Sequence, residues 1–220
     1  KKSIFFLNVL LLISLSSCND YFDKTGDEQH ITDKKFFGDE TAFASALTDC
    51  YNLMRSRNLY GGMLTLEMME FADQDMAPHD AVTSAAARLD FADAALSARV
   101  DSMMHAAYRV VTACNKLISE AERTKVVFTH AGQKNIIMGE AYALRAVVQF
   151  DLLRLFHPAP ATDAGFRGLP YITQTSTKAP EALATADILQ RVNADLAHAA
   201  QLLKTADPIL KPRNTIVGVG

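Results

Sequence analysis

The stretch GEAYALRAVVQFDLLRLFHPAPA, residues 139–161, decides the fold class. Its apolar residues recur at steps of three and four, which is the spacing that one face of an α-helix presents to a core. Upstream of the stretch, Thr129 is placed to cap a helix, and Pro158 removes a backbone donor at the far end. The pattern therefore predicts a long helix from near Thr129 to about Phe156.

Apolar residues with the same spacing predict three further helices. The first extends from Thr41 to about Arg57, the second from Ala94 to Arg123, and the last begins near Thr185 or Asp187, either of which can cap it. An acid-rich segment between the first two contains a proline and is expected to be a loop. Helix pairs joined by loops predict an all-α fold of helical-repeat or bundle type.

The amino terminus has the layout of a secretory signal. Two lysines precede an apolar run, Ile4–Leu15, which is shorter than the roughly 20 residues that a helix needs to cross a bilayer. The tetrapeptide Leu-Ser-Ser-Cys that ends at Cys18 resembles a bacterial lipobox, in which the cysteine is acylated after cleavage just before it. The alternative is a signal cleaved elsewhere, with Cys18 a free thiol.

Composition argues against nucleic acid as a partner and leaves open whether a disulfide forms. The chain has 22 Lys and Arg against 25 Asp and Glu, a net charge of −3, and no basic cluster, which argues against nucleic-acid binding. Apart from Cys18 there are two cysteines, Cys50 and Cys114, each inside a predicted helix. They are either a disulfide or two buried free thiols, because spacing alone does not fix connectivity.

Five segments occur in the order that is typical of the SusD/RagB family, which the chain resembles. They are the stretch 139–161 with its Gly-Glu start, the helix YRVVTACNKLI at 108–118, the short GLPY segment at 168–171, the helix at 186–203 and the CNDYFD start at 18–23. Together they span nearly all of the chain after the signal. Their order is far more specific than any one of them.

The resemblance implies tetratricopeptide-like helix pairs with loop insertions. It also implies a lipoprotein on the outer face of the outer membrane that delivers glycans or other nutrients to a TonB-dependent, SusC-like transporter. Such proteins carry out no chemistry, so no catalytic residue, cofactor or metal is expected. The expected organisation is a signal peptide at 1–17, a tether at 18–38, and a SusD-like amino-terminal helical domain at 39–220 that is truncated relative to the family.

Three charged residues, Glu140, Arg145 and Asp151, lie in the helix that carries the family motif. Charges in a helix with neighbours on several sides need partners, so a structural role is preferred to ligand contact. We expect Glu140 to pair with an arginine of a neighbouring helix, and Asp151 with Arg154 three residues later.

The acid-rich segment Glu67–Asp80 is the best candidate for ligand contact. Tyr60, Asp73, Asp75 and His79 are the proposed ligand-binding residues, since carboxylates can accept hydrogen bonds from adjacent sugar hydroxyls. Carboxylates also suit Ca²⁺, but the segment lacks the glycine turn and distal glutamate of an EF-hand loop. The chain has no tryptophan to stack on a sugar ring, and no glycan specificity is predicted.

No sequence motif for catalysis is present. The chain lacks H-E-x-x-H, G-x-S-x-G and any Cys/His cluster with zinc spacing, which disfavours an enzyme. Two alternatives to a nutrient-binding protein stay open at this point. One is a helical-repeat scaffold of the envelope that binds a protein or peptide, and the other is a truncated remnant.

Overall fold

The computed structural model describes residues 36–159, 162–163, 165–176 and 178–204. The predicted signal peptide, Cys18 and most of the tether lie outside these residues. The chain divides into two units, residues 1–38 and 39–220. In the first unit, the described residues include Phe36 and Phe37, whose rings meet edge to face at 4.9 Å.

The second unit is almost entirely helical in the part that the structure describes. Its elements are α1 (Glu40–Met54), a π-helix (Met63–Met69), α2 (Glu70–Ala72), α3 (Ala81–Ala87), α4 (Ala94–Arg123), α5 (Gln133–Phe156), β1 (Arg167–Leu169), β2 (Leu183–Ala184) and α6 (Thr185–Leu202). The two short strands pair antiparallel. The all-α prediction is confirmed.

Three long helices, α4, α5 and α6, form the centre of the fold. α5 packs against both α4 and α6, and α1 packs against α4 and α5. Ile137, Leu144, Val148 and Leu152 form one buried apolar stripe of α5, and Met138, Ala146 and Leu153 are buried on its other sides. Because the buried residues are not confined to one stripe, α5 is covered on several sides, as the central helix of a layered helical array requires.

Gly139 allows α6 to end close against α5. A Cβ atom at this position would lie 2.8 Å from Leu203 Cγ and 3.2 Å from Leu202 Cβ. Real side chains do not approach this closely without displacement. The glycine that begins the motif therefore permits tight packing between the start of α5 and the end of α6.

The segment between α1 and α3 departs from regular helix. Two glycines follow α1, and a Cβ on Gly61 would collide with the backbone oxygen of Arg55. The π-helix follows at once, with an N–H of Leu64 that donates to Leu59 O at 3.1 Å across five residues. Such wide turns are rare and occur frequently at functional sites.

Three details of the sequence prediction need correction. α5 begins at Gln133, because the hydroxyl and backbone N–H of Thr129 both donate to Glu40 Oε2, at 2.7 and 2.6 Å, and do not cap the helix. Thr185 is the first residue of α6, not its cap; its hydroxyl contacts His157 at 3.0 Å. The short helix α3 was not predicted.

Cys50 of α1 and Cys114 of α4 are buried free thiols. Hydrogen bonding to the Cys50 thiol, together with burial, raises the pKa of Cys114. The structure thus favours the free-thiol alternative for this pair.

Candidate functional site

Arg145 is the centre of a buried polar network that joins α4, α5 and α6. Its Nε and Nη2 atoms donate to the two carboxylate oxygens of Asp195 at 2.7 and 2.6 Å, a bidentate pair. Its Nη1 donates to Asn115 Oδ1 at 2.8 Å, and Tyr171 donates its hydroxyl hydrogen to Asp195 Oδ2. Arg145 and Asp195 are 4% and 8% exposed, so each charge depends on its partner.

The network also fixes the extended segment that follows β1. Ile172 N donates to Gln149 Oε1 at 2.6 Å, and Asn115 Nδ2 donates to Ile172 O at 3.3 Å. Arg145 Nη1 reaches Thr173 O at 3.2 Å. Buried side chains of α4 and α5 therefore satisfy the backbone groups of a segment that has no strand beside it.

The other two charged residues of the motif are also engaged with protein groups. Arg154 Nη1 donates to Asp151 Oδ1 at 3.1 Å, which confirms the predicted pair. Glu140 does not pair with an arginine among the described residues: the donor is the Tyr51 hydroxyl of α1, at 2.7 Å. That expectation was wrong because α1, not an arginine-bearing face, lies against this end of α5. The structural interpretation of the motif holds.

Tyr60 differs from the other three predicted ligand residues because its polar group is hydrogen-bonded to the core. Its hydroxyl donates to Asp151 Oδ2 at 2.7 Å, and burial together with this bond raises the pKa of Tyr60. The hydroxyl is therefore already bound to a protein group, and the residue as a whole is half-buried.

The other three predicted ligand residues lie in the exposed segment after α2. The side chains of Asp73 and Asp75 have no hydrogen bond or ion pair with any described residue. His79 packs its ring 5.8 Å from that of Phe71 and is 70% exposed. The segment ends at Asp80, which accepts from Thr83 N at 2.7 Å and starts α3 as a capping box.

A first cleft of about 400 Å³, here called the π-helix cleft, opens beside the π-helix. It is lined by Arg57, Asn58, Met63, Glu67, Ala98, Arg99 and Ser102. Arg99 Nη1 is 2.8 Å from Glu67 Oε2, which ties α4 to the π-helix across the cleft. The guanidinium of Arg57 makes no hydrogen bond or ion pair with any described residue, so it is free to meet a ligand.

A second cleft, also of about 400 Å³, lies between α4, the segment after β1 and the start of α6; we call it the α6 cleft. It is lined by Thr112, Tyr171, Ile172, Thr173, Gln174, Thr175, Ser176, Lys178, Ala179, Pro180, Glu181 and Arg191. Sequence reasoning missed this cleft. Thr112, Tyr171 and Arg191 lie in three of the segments that carry the family resemblance, but these segments are far apart in the chain and only the fold brings them together. The one available signal was the run of hydroxyl and amide residues at 173–176, which Lys178 follows two residues later.

Neither a metal site nor a membrane span is found in the described part of the chain. No group of three or more His, Cys, Asp or Glu side chains is close enough to hold a metal ion there. None of the helices described combines the length and apolar character that crossing a bilayer requires.

Comparisons with known proteins agree with this fold. Residues 20–216 match the family model SusD-like_3, described as starch-binding and associating with the outer membrane. Among solved structures, a SusD superfamily protein from Bacteroides thetaiotaomicron VPI-5482 is similar with a TM-score of 0.60 at 21% identity, over 74% of this chain and 37% of that one. No curated protein matches.

A second solved structure, from Bacteroides vulgatus ATCC 8482 and provisionally described as a sugar binding protein, gives a TM-score of 0.54 at 17% identity. It too is matched over 74% of this chain and 37% of its own length, so the chain spans little more than a third of either neighbour. These likenesses show the fold. With the family match over residues 20–216, they establish that the chain belongs to the SusD-like family.

Proposed function

We propose that this protein is a surface-exposed lipoprotein of the outer membrane that binds a glycan and delivers it, unchanged, to a TonB-dependent transporter. The family match over residues 20–216, with its description of starch binding at the outer membrane, is the observation that carries the proposal. The resemblance of the Cys18 region to a lipobox supports the membrane attachment. The exposed acidic segment and the π-helix cleft supply polar groups that the fold itself does not use.

For the ligand site, we propose the segment that follows α2. Asp73 and Asp75 present free side chains, His79 is 70% exposed beside them, and Tyr60 is half-buried with its hydroxyl already bound. A glycan array with the full-length protein tests binding, and calorimetry on the positive glycans tests the site. The double variant Asp73→Asn, Asp75→Asn should weaken binding by roughly tenfold or more, since hydrogen bonds to charged groups are the stronger ones.

The control for this test is Asp163→Asn, an exposed acid that lies outside the segment. Equal weakening by both changes would show a general charge effect and would remove the site assignment. A protein that gives no heat with any glycan but binds an envelope peptide would support the scaffold alternative. Recovery of the glycan with an altered mass would contradict a role without chemistry.

Membrane attachment is tested separately, by labelling living bacteria with palmitate. The label should enter the protein at Cys18, and Cys18→Ser should abolish both labelling and retention in the outer-membrane fraction, because several acyl chains are needed for stable attachment. Retention of the unlabelled variant would contradict the lipid anchor.

Delivery to a transporter is tested by affinity purification from outer membranes. The tagged full-length protein should recover a large β-barrel protein with a TonB-interaction segment. Purification of the protein alone, under conditions in which the barrel stays intact, would contradict the proposed partner.

A further inference from the structure

The α6 cleft has a wall whose shape is fixed before any ligand arrives. The backbone of Ile172 is held by Gln149 and Asn115, and that of Thr173 by Arg145, all from buried helical positions. The Tyr171 side chain is bound to Asp195. A pre-formed wall lowers the conformational cost of binding, and the cleft volume of about 400 Å³ falls within the range that ligand sites have.

Several polar side chains of this cleft have no partner within the part of the chain that the structure describes, although the hydroxyls of Thr112 and Ser176 are hydrogen-bonded to the backbone. Among the described residues, Lys178, Glu181 and Arg191 take part in no ion pair, and the side chains of Gln174 and Thr175 make no hydrogen bond. The lining thus offers two cations against one carboxylate, in a chain whose net charge is −3. A local positive excess of this kind in an acidic protein favours an anionic ligand.

The chemistry of the lining narrows the ligand further. A neutral sugar ring is normally recognised by stacking on an exposed aromatic face, and the one aromatic residue of the lining, Tyr171, is 5% exposed. Hydroxyl and amide groups at positions 173–176 match the hydroxyls of a sugar. The guanidinium of Arg191 can bind a carboxylate with two parallel hydrogen bonds.

We propose that the α6 cleft binds an acidic saccharide, with Arg191 and Lys178 on the carboxylate of a hexuronate and the 173–176 segment on its hydroxyls. This proposal rests on the proposed function as a glycan-binding protein. It adds a second binding site, separate in sequence from the acidic segment, and it names the class of sugar.

Calorimetry on the full-length protein tests the proposal with two probes, trigalacturonate and its methyl ester, which is neutral. The acid should bind at least about tenfold more tightly than the ester, because the ester removes the charge that Arg191 and Lys178 recognise. Arg191→Gln should weaken binding of the acid by at least about tenfold and leave the ester unchanged. Lys178→Gln should also weaken binding of the acid and leave the ester unchanged. Glu181→Gln should not weaken binding of the acid.

The matched control is Arg88→Gln, an exposed arginine next to the acidic segment. Thermal unfolding of each variant at the wild-type temperature shows that the fold is kept. Equal binding of acid and ester, equal effects of Arg191→Gln and Arg88→Gln, or competition by inorganic phosphate as effective as the saccharide would overturn the proposal. In those cases a positive neutral-glycan array still supports the proposed function, so the two failures are distinguishable.

Discussion

The core of α4, α5 and α6 and the segment between α1 and α4 are built in different ways. In the core, helices of 30, 24 and 18 residues pack on one another. Their buried charges are paired: Arg145 with Asp195, and Asp151 with Arg154. The segment between α1 and α4 has a π-helix and two short helices instead. It also contains two non-glycine residues with positive φ, Gln74 at 61° and Leu89 at 52°.

The difference lies in where polar groups are used. In the core, buried polar side chains bind one another. In the segment, the side chains of Asp73, Asp75 and Arg57 have no partner among the described residues. Positive φ values cost conformational energy in non-glycine residues, so such a segment persists only on a rigid support. The core therefore pairs its buried charges with one another, whereas the segment between α1 and α4 presents acidic side chains to solvent.

The largest expected effect comes from breaking the core network with Arg145→Leu. Asp195 would stay buried without its cation, so the free energy of unfolding should fall by about 3–5 kcal/mol. Chemical denaturation of the full-length protein measures this. Arg154→Leu is the control, since this arginine is 53% exposed and its pair with Asp151 should contribute under about 1 kcal/mol. Similar losses of unfolding free energy in the two variants would contradict the idea that the buried Arg145 network stabilises the fold more than the exposed Arg154 pair does.

A smaller effect is expected where α5 and α6 meet. Gly139→Val places a branched side chain against Leu203 and Leu202 and should lower the free energy of unfolding by about 1–3 kcal/mol. Gly165→Val serves as the control, because a Cβ there meets only an oxygen of Asp163 at an ordinary 3.6 Å. A neutral Gly139→Val would mean that α6 can shift without cost.

The segment between α1 and α4 is tested at the start of α3. Asp80→Ala removes the side-chain acceptor of Thr83 N, so the first turn of α3 should open more often and the amides of Thr83 and Ser84 should exchange hydrogen faster than in the wild type. Asp80→Asn keeps an oxygen acceptor and should exchange as the wild type does. If hydrogen exchange in α4, α5 and α6 accelerates equally, the segment and the core unfold together, and the two regions are not independent.

The smallest expected effect is a pH dependence at His157. Its Nε2 accepts from Leu169 N at 3.0 Å, which requires the neutral ring, and burial lowers the pKa of His157 below 6.5. The unfolded chain then binds the proton more tightly, so this contribution to stability is complete above about pH 6.5 and is lost as pH falls below it. Denaturation at pH 8 and pH 5 measures the change.

The variant His157→Gln should show a shallower loss of stability between these two pH values than the wild type. His105→Gln, an exposed histidine on α4, is the control and should keep the wild-type slope. An unchanged slope in His157→Gln would mean that folding does not shift the pKa of His157, which would contradict the expected effect of burial and of the hydrogen bond from Leu169.

The sequence predicted the core far better than the segment between α1 and α4. α4 has the predicted bounds, Ala94–Arg123, and α5 ends at the predicted Phe156 before Pro158, because long apolar periodicity and proline are strong local signals. Arg145, a charged residue inside the apolar stretch of α5, also indicated that a buried ion pair forms there. Its partner, Asp195, could not be identified because it lies 50 residues away.

The irregular segment was less predictable for physical reasons. The run Met63–Met69 is apolar without a helical stripe, and nothing in it distinguishes a π-helix from an α-helix or a strand. α3 consists of small residues whose burial depends on neighbours. The start of α5 was misplaced because Glu40, on a different helix, takes the hydroxyl and N–H of Thr129. This competition for Thr129 depends on a residue that is distant in the chain, so the sequence near Thr129 does not reveal it.

The amide side chains around Ile172 have one more consequence. Gln149 accepts from its N–H, and Asn115 donates to its carbonyl, so two helices imitate the hydrogen-bonding edge of an adjacent β-strand. The shape of this loop is thus encoded in helices that lie more than 20 residues away. Transplanting the loop into another helical protein should preserve its conformation only if both amides are transplanted with it.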